Sequence, residues 1–146
     1  SSFLDAPPAG MPPLMTWVQL KTAEESGFAE VVSHSHDLHH FEVSNPYNDT
    51  SPAVTTRRYR NPEKRYEDRD EYRGRIRGDL RKSKAVLSEM LGHDVPVLAW
   101  PYGEYNAMAL ELARQEGFAR TILSTNARKC STTPASPVTA AGNASG

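Results

Sequence analysis

Three things are scarce in this sequence, and each scarcity narrows what the chain can be. Cys130 is the sole cysteine, so no disulfide can close within the chain. No apolar run is long enough to cross a bilayer, so the sequence holds no transmembrane helix. Net charge is almost absent, −1 over 146 residues, which argues against a protein held to nucleic acid or membrane by bulk attraction. The first residues, Ser1-Ser2-Phe3-Leu4-Asp5, have neither the basic start nor the apolar core of a signal peptide. They also lack an initiator Met, which suggests a fragment or a processed chain. Hydrophobic residues make up 38%, enough for one small domain with a modest core.

Histidine, by contrast, is concentrated. Four of the five histidines fall in Ser33-His34-Ser35-His36-Asp37-Leu38-His39-His40, after the apolar run Phe28-Ala29-Glu30-Val31-Val32, which reads as a buried strand. Neutral imidazoles at a strand end suit a metal nest; a solvated His-rich loop is the plain alternative. His34 with His39, or His36 with His40, can converge on one ion if the chain bends between them. A catalytic site needs a third protein ligand. Asp37 is adjacent, but in an extended segment neighbours face opposite sides.

The remaining chain reads as alternating elements. Prolines at 7, 8, 12 and 13 make residues 1–15 a lead-in without helix. Thr16 and Gln19 have capping-box spacing and open a helix that Gly27 stops. Residues 41–62 lack a period and carry turn signals, so a long loop is expected. A polar helix follows from about Tyr66 to Leu91, with Ile76, Leu80, Ser83, Val86, Leu87 and Met90 on one face; Gly74 and Gly78 weaken its start. Val95–Trp100 is a second buried strand leading to the turn Pro101-Tyr102-Gly103. Asn106–Glu116 forms another helix and Phe118–Leu123 another strand. This alternation predicts an α/β fold with parallel strands and crossover helices, and with functional residues at the C-terminal ends of the strands. Residues 127–146 read as a flexible low-complexity tail.

Residues 57–84 hold 12 of the 17 lysines and arginines against six acids, a local +6 against −7 elsewhere. With Tyr59, Tyr66 and Tyr72 interleaved, an RNA-binding patch is one reading. Signs that alternate along a helix favour the other, a salt-bridged solvated face, and no nucleic-acid motif accompanies them.

Two stretches, Ser33–His39 and Leu98-Ala99-Trp100-Pro101-Tyr102-Gly103-Glu104-Tyr105, resemble motifs of the polysaccharide deacetylases, carbohydrate esterase family 4, with the NodB-homology domain. Within that family they are most similar to the biofilm poly-β-1,6-N-acetyl-D-glucosamine N-deacetylases. The helix Tyr72–Lys84 and Ala113–Phe118 resemble the segments around those motifs. The resemblance covers about Thr16 to Thr125 and implies a partial NodB-type (β/α) barrel over residues 16–126. It implies His34 and His39 as metal ligands, leaving His36 and His40 as bystanders. The backbone N–H of Tyr102 then contributes to an oxyanion hole, and Trp100 and Tyr102 offer flat faces to a sugar; packing at a strand end is the equal alternative for both rings. The implied cofactor is a divalent metal ion: zinc first, with cobalt, nickel or iron as alternatives. The implied chemistry is hydrolysis of N-acetyl groups on a polysaccharide in the periplasm or outside the cell.

The departures are equally specific. The family's Asp-Asp-Gly motif, which supplies a base and the third ligand, does not occur in this sequence, and neither does the upstream general-acid histidine. His93 reads as a surface residue. The expectation is therefore a deacetylase domain impaired on its own, completed by an upstream segment or a partner chain. The alternative is a non-catalytic metal- or glycan-binding remnant of such an enzyme.

Overall fold

The computed structural model describes residues 15–123. The Pro-rich lead-in through residue 14 and the tail from residue 127 lie outside the described residues. Helix α1 spans Trp17–Glu25, opened by the expected capping box: Gln19 N–H donates to Thr16 Oγ1 (3.2 Å) and Thr16 N–H to Gln19 Oε1 (2.9 Å). Helix α2 spans Arg69–Leu91 and α3 spans Ala107–Gln115, with Asn106 capping α3 through Ala109 N–H (2.8 Å).

Strands β5 (Val97–Trp100) and β6 (Arg120–Leu123) pair in parallel, joined by α3 as the alternation required. Ser33 adds one parallel bridge on the other side of β5, opposite Leu98. Its N–H donates to Val97 O (2.9 Å) and its carbonyl accepts from Ala99 N–H (2.7 Å). The predicted buried strand before it is corrected. Phe28 is 97% exposed, and only Ser33 enters the ladder. The N–H of Val31 donates instead to Glu24 Oε1 on α1 (3.3 Å), outside the ladder.

The expected loop at 41–62 is also corrected. It folds into two antiparallel hairpins: β1 (Phe41–Val43) with β2 (Thr50–Pro52), and β3 (Tyr59–Arg60) with β4 (Arg65–Tyr66). A buried ion pair ties them to α2. Arg75 donates from Nε and Nη2 to both carboxylate oxygens of Glu67 (2.9 Å each), and also to the carbonyls of Ala53 (2.9 Å) and Thr56 (2.8 Å). Tyr72 adds a bond from its hydroxyl to Val54 O (2.5 Å).

The start of α2 is firm, contrary to the weakness its glycines suggest. Asp68 and Glu71 form a capping box with two 2.8 Å bonds, and Arg65 grips Glu71 in a two-pronged pair. Gly74 and Gly78 lie on the solvent face, where they cost helix propensity but no packing. The opposite face, Tyr72, Ile76, Leu80 and Ser83, is buried against Leu98, Trp100, Leu112, Ala113 and Phe118. This single core fixes the C-terminal end of β5 beside the residues that follow Ser33.

Candidate active site

The histidine loop begins where Ser33 leaves the sheet. Ser35 takes a left-handed conformation, φ 70°, which turns the chain. Leu38 is buried at 2% exposure and pins the far side of the turn. Its N–H donates back to Ser35 Oγ (3.2 Å). Between these anchors, the N–H groups of His36 and Asp37 donate to Oδ1 (2.9 Å) and Oδ2 (2.7 Å) of Asp79 on α2.

This fold of the loop separates its histidines. His34 and His39 come together, with ring centroids 5.0 Å apart and planes inclined at 53°. His36 stays exposed, and His40 turns to Glu42 (2.6 Å), which Arg58 also contacts. Nδ1 of His34 lies 3.0 Å from the carbonyl of Ala99. A carbonyl can only accept, so Nδ1 is the donor and, in the neutral ring, Nε2 is the nitrogen with a lone pair, the arrangement usual for a metal-binding imidazole. His39 stacks on Tyr102 (4.4 Å, 16°). Burial first, and the charge of His34 second, lower its pKa below the ordinary 6.5, favouring the neutral ligand form.

Tyr102 lies in the short 3-10 turn Pro101–Gly103 that follows β5, with φ 57°. Its ring also meets Phe41 (4.9 Å), so His39, Tyr102 and Phe41 form one aromatic shelf. Trp100 does not belong to it. It is fully buried and stacks on Tyr105 (5.6 Å), so the expected flat face for a sugar is turned into the core. His93 is exposed, as expected, and contacts Glu24 of α1 (2.5 Å).

As to a metal, the donor chemistry fits in part. Two imidazoles converge, one of them oriented by a backbone carbonyl. Among the described residues, no group of three His, Cys, Asp or Glu side chains assembles around an ion, and Asp37 does not join the pair. Four of the seven basic residues of α2 are paired with acids within the fold. Arg77 (2.5 Å) and Arg81 (2.9 Å) hold Glu116, Lys84 holds Asp94 (2.9 Å), and Arg75 holds Glu67.

Asp79 and Phe41 escaped the sequence reading. Asp79 had a usable signal: it is an acid lying between Ile76, Leu80 and Ser83 on the buried stripe of an otherwise polar helix, where a charge needs partners. Phe41 had none, because it falls in a stretch without periodicity.

A parallel ladder with paired imidazoles and a left-handed turn gathered at its strand ends places the candidate site where open α/β sheets carry theirs. The family follows from comparison: the polysaccharide deacetylase profile matches residues 6–121, and the chain belongs to that family. It is 33% identical over 103 residues to the poly-beta-1,6-N-acetyl-D-glucosamine N-deacetylase of Escherichia coli K12, covering 70% of this chain and 15% of that protein. The enzyme of Escherichia coli O157:H7 matches to the same extent. Among solved structures, a de-N-acetylase from Aggregatibacter actinomycetemcomitans superposes with TM-score 0.73 at 32% identity, covering 82% of this chain and 49% of that one. The BpsB deacetylase domain from Bordetella bronchiseptica gives 0.72 at 34%, covering 83% and 50%. The fold is thus part of the NodB-type deacetylase fold, and the chain spans about half of those solved domains.

Proposed function

We propose that this chain supplies part of the catalytic centre of a metal-dependent polysaccharide N-deacetylase acting on poly-N-acetylglucosamine in the periplasm or outside the cell. The observation that carries this reading is the convergence of His34 and His39 at 5.0 Å beside Tyr102. In this reading both imidazoles hold a divalent ion, zinc in the first instance, through nitrogens left free of protein contacts. Bound there, the ion supplies Lewis acidity toward the acetyl carbonyl and lowers the pKa of water.

The chain's own residues do the rest of their share. The Ala99 carbonyl fixes the tautomer of His34. Tyr102 holds the ring of His39, and its N–H donates to the oxygen on which charge develops as water adds to the amide carbon. The exposed aromatic surface of Tyr102 and Phe41 receives a sugar face. Hydrolysis also needs a base to take the proton from water and an acid to protonate the leaving amine. The sequence lacks the Asp-Asp-Gly that fills the first role in the family, so activity of this chain alone is expected to be impaired until an upstream segment or partner supplies it.

The test is calorimetric titration of zinc into the chain and into His34→Ala and His39→Ala. Each substitution is expected to weaken binding at least ~10-fold. Binding that survives loss of both imidazoles would sink the assignment. A non-catalytic metal- or glycan-binding remnant remains the second reading, favoured by the incomplete donor set among the described residues. It predicts tight binding with no hydrolysis even after the missing carboxylates are restored.

A further inference from the structure

We propose that Asp79 is a positioning residue that holds the histidine loop in its metal-binding shape; this rests on the assignment of His34 and His39 above. Three anchors define that loop. The His34 end is fixed by the Ser33 bridge to β5 and by the Ala99 carbonyl. The His39 end is fixed by buried Leu38 and by the Tyr102 ring. The middle, where the left-handed Ser35 reverses the chain, is tied to the body of the protein by Asp79, which accepts the two successive N–H groups of His36 and Asp37 at 2.9 and 2.7 Å.

Asp79 is suited to this by its mounting. It sits between Ile76 and Leu80 of α2, both fully buried, so its backbone is immobilised by the core. Among the described residues it forms no ion pair with Lys, Arg or His, and its two carboxylate oxygens are given to the loop. A carboxylate accepting two adjacent backbone N–H groups fixes the orientation of the peptide between them as well as its position. The spacing of His34 and His39 is therefore set through a residue that touches neither imidazole. Partners of this kind affect metal affinity through geometry.

The experiment uses the full chain and two variants. Asp79→Ala removes both acceptors; Asp79→Asn keeps the shape and one acceptor, and serves if the first does not fold. Without metal, amide exchange of His36 and Asp37 is expected to accelerate at least ~10-fold in Asp79→Ala and less in Asp79→Asn, while the Leu98 and Ala99 amides keep their protection. The ring-to-ring nuclear Overhauser contact between His34 and His39 is expected to weaken in the same order. With cobalt as probe, affinity read from its visible absorption is expected to fall ~10-fold or more.

Unchanged exchange at His36 and Asp37 would overturn the proposal. So would loosened amides with the imidazole contact and cobalt affinity intact. If the unmutated chain binds no cobalt, the metal assignment falls, and the metal-free measurements alone decide whether Asp79 sets the loop.

Discussion

Glu67 is the most deeply buried charge among the described residues, at 2% exposure, and it has Arg75 opposite it at 12%. Both charges were taken out of water, and the geometry that compensates them is two-pronged. Arg75 also donates to the carbonyls of Ala53 and Thr56, and Glu67 also accepts from Arg58 N–H (3.2 Å). Removing one partner leaves the other charged and alone, at a cost of about 3–5 kcal/mol. Arg75→Ala should therefore lose about that much stability in urea denaturation. Arg75→Met combined with Glu67→Leu should lose clearly less than the two single changes added together. Strict additivity would show that the pair is not coupled. The arginine was visible in sequence only as one charge among many. The partner that gives it meaning lies eight positions back, beyond the reach of helical spacing. The histidine pair was more legible, because its residues share one loop and a family pattern. Trp100 left two readings open, sugar face or strand-end packing, and the structure takes the second: its burial beside Tyr105 and the core is a tertiary fact that the motif does not carry.

At the scale of elements, helices were legible and hairpins were not. The helices carry caps and stripes that repeat over many residues, whereas β3 and β4 are two residues each and have no room for a period. They are tied to α2 at their base, where Glu67 follows β4, bonds Arg58 ahead of β3 and pairs with Arg75. The glycines of α2 make a separate test. Gly74 and Gly78 are helical and exposed, and a Cβ added at either meets nothing within 4 Å. Gly74→Ala and Gly78→Ala should each stabilise the chain by about 0.5–1 kcal/mol, read from the urea midpoint. A loss of stability would mean that one of these positions packs against something else.

Helix α1 offers a pH test, since none of its residues is fully buried and His93 reaches it through Glu24. The His93 pKa is raised above 6.5, first by the Asp94 carbonyl and then by Glu24. This contribution is complete below 6.5 and is lost as pH rises through the raised value. The Glu24 pKa is lowered below 4.5, first by its hydrogen bond to His93, so its contribution is present above 4.5 and lost on acidification through the lowered value. Protection of α1 amides, corrected for intrinsic exchange, should peak between those two ordinary values and decline toward pH 9. His93→Ala should flatten the profile.

For the molecule as a whole, the decisive fact is proportion. The parallel ladder of the described residues runs from the single bridge at Ser33 through β5 to β6, where Ile122 and Leu123 are 46% and 54% exposed. An unpaired edge carrying apolar side chains is a place where further structure can add. The solved relatives are about twice as long as the part this chain matches. The site shows the same proportion: two imidazoles lie together beside the Tyr102 ring, and the Asp-Asp-Gly of the family pattern is not in the sequence. These two kinds of incompleteness, one in the sheet and one in the donor set, have a common explanation if a single additional segment supplies both. That idea makes a definite prediction. The chain alone, given zinc and N-acetylglucosamine oligomers, should release acetate at the background rate. Fused to the part of the Aggregatibacter domain that it does not cover, it should gain turnover. His34→Ala in the fusion should abolish that turnover while leaving its circular dichroism unchanged. Robust turnover by the unfused chain, dependent on His34, would show that the absent aspartates are dispensable and that the two incompletenesses are unrelated. A folded, metal-binding fusion without turnover would instead assign the chain to a remnant that kept its ligands and lost its chemistry.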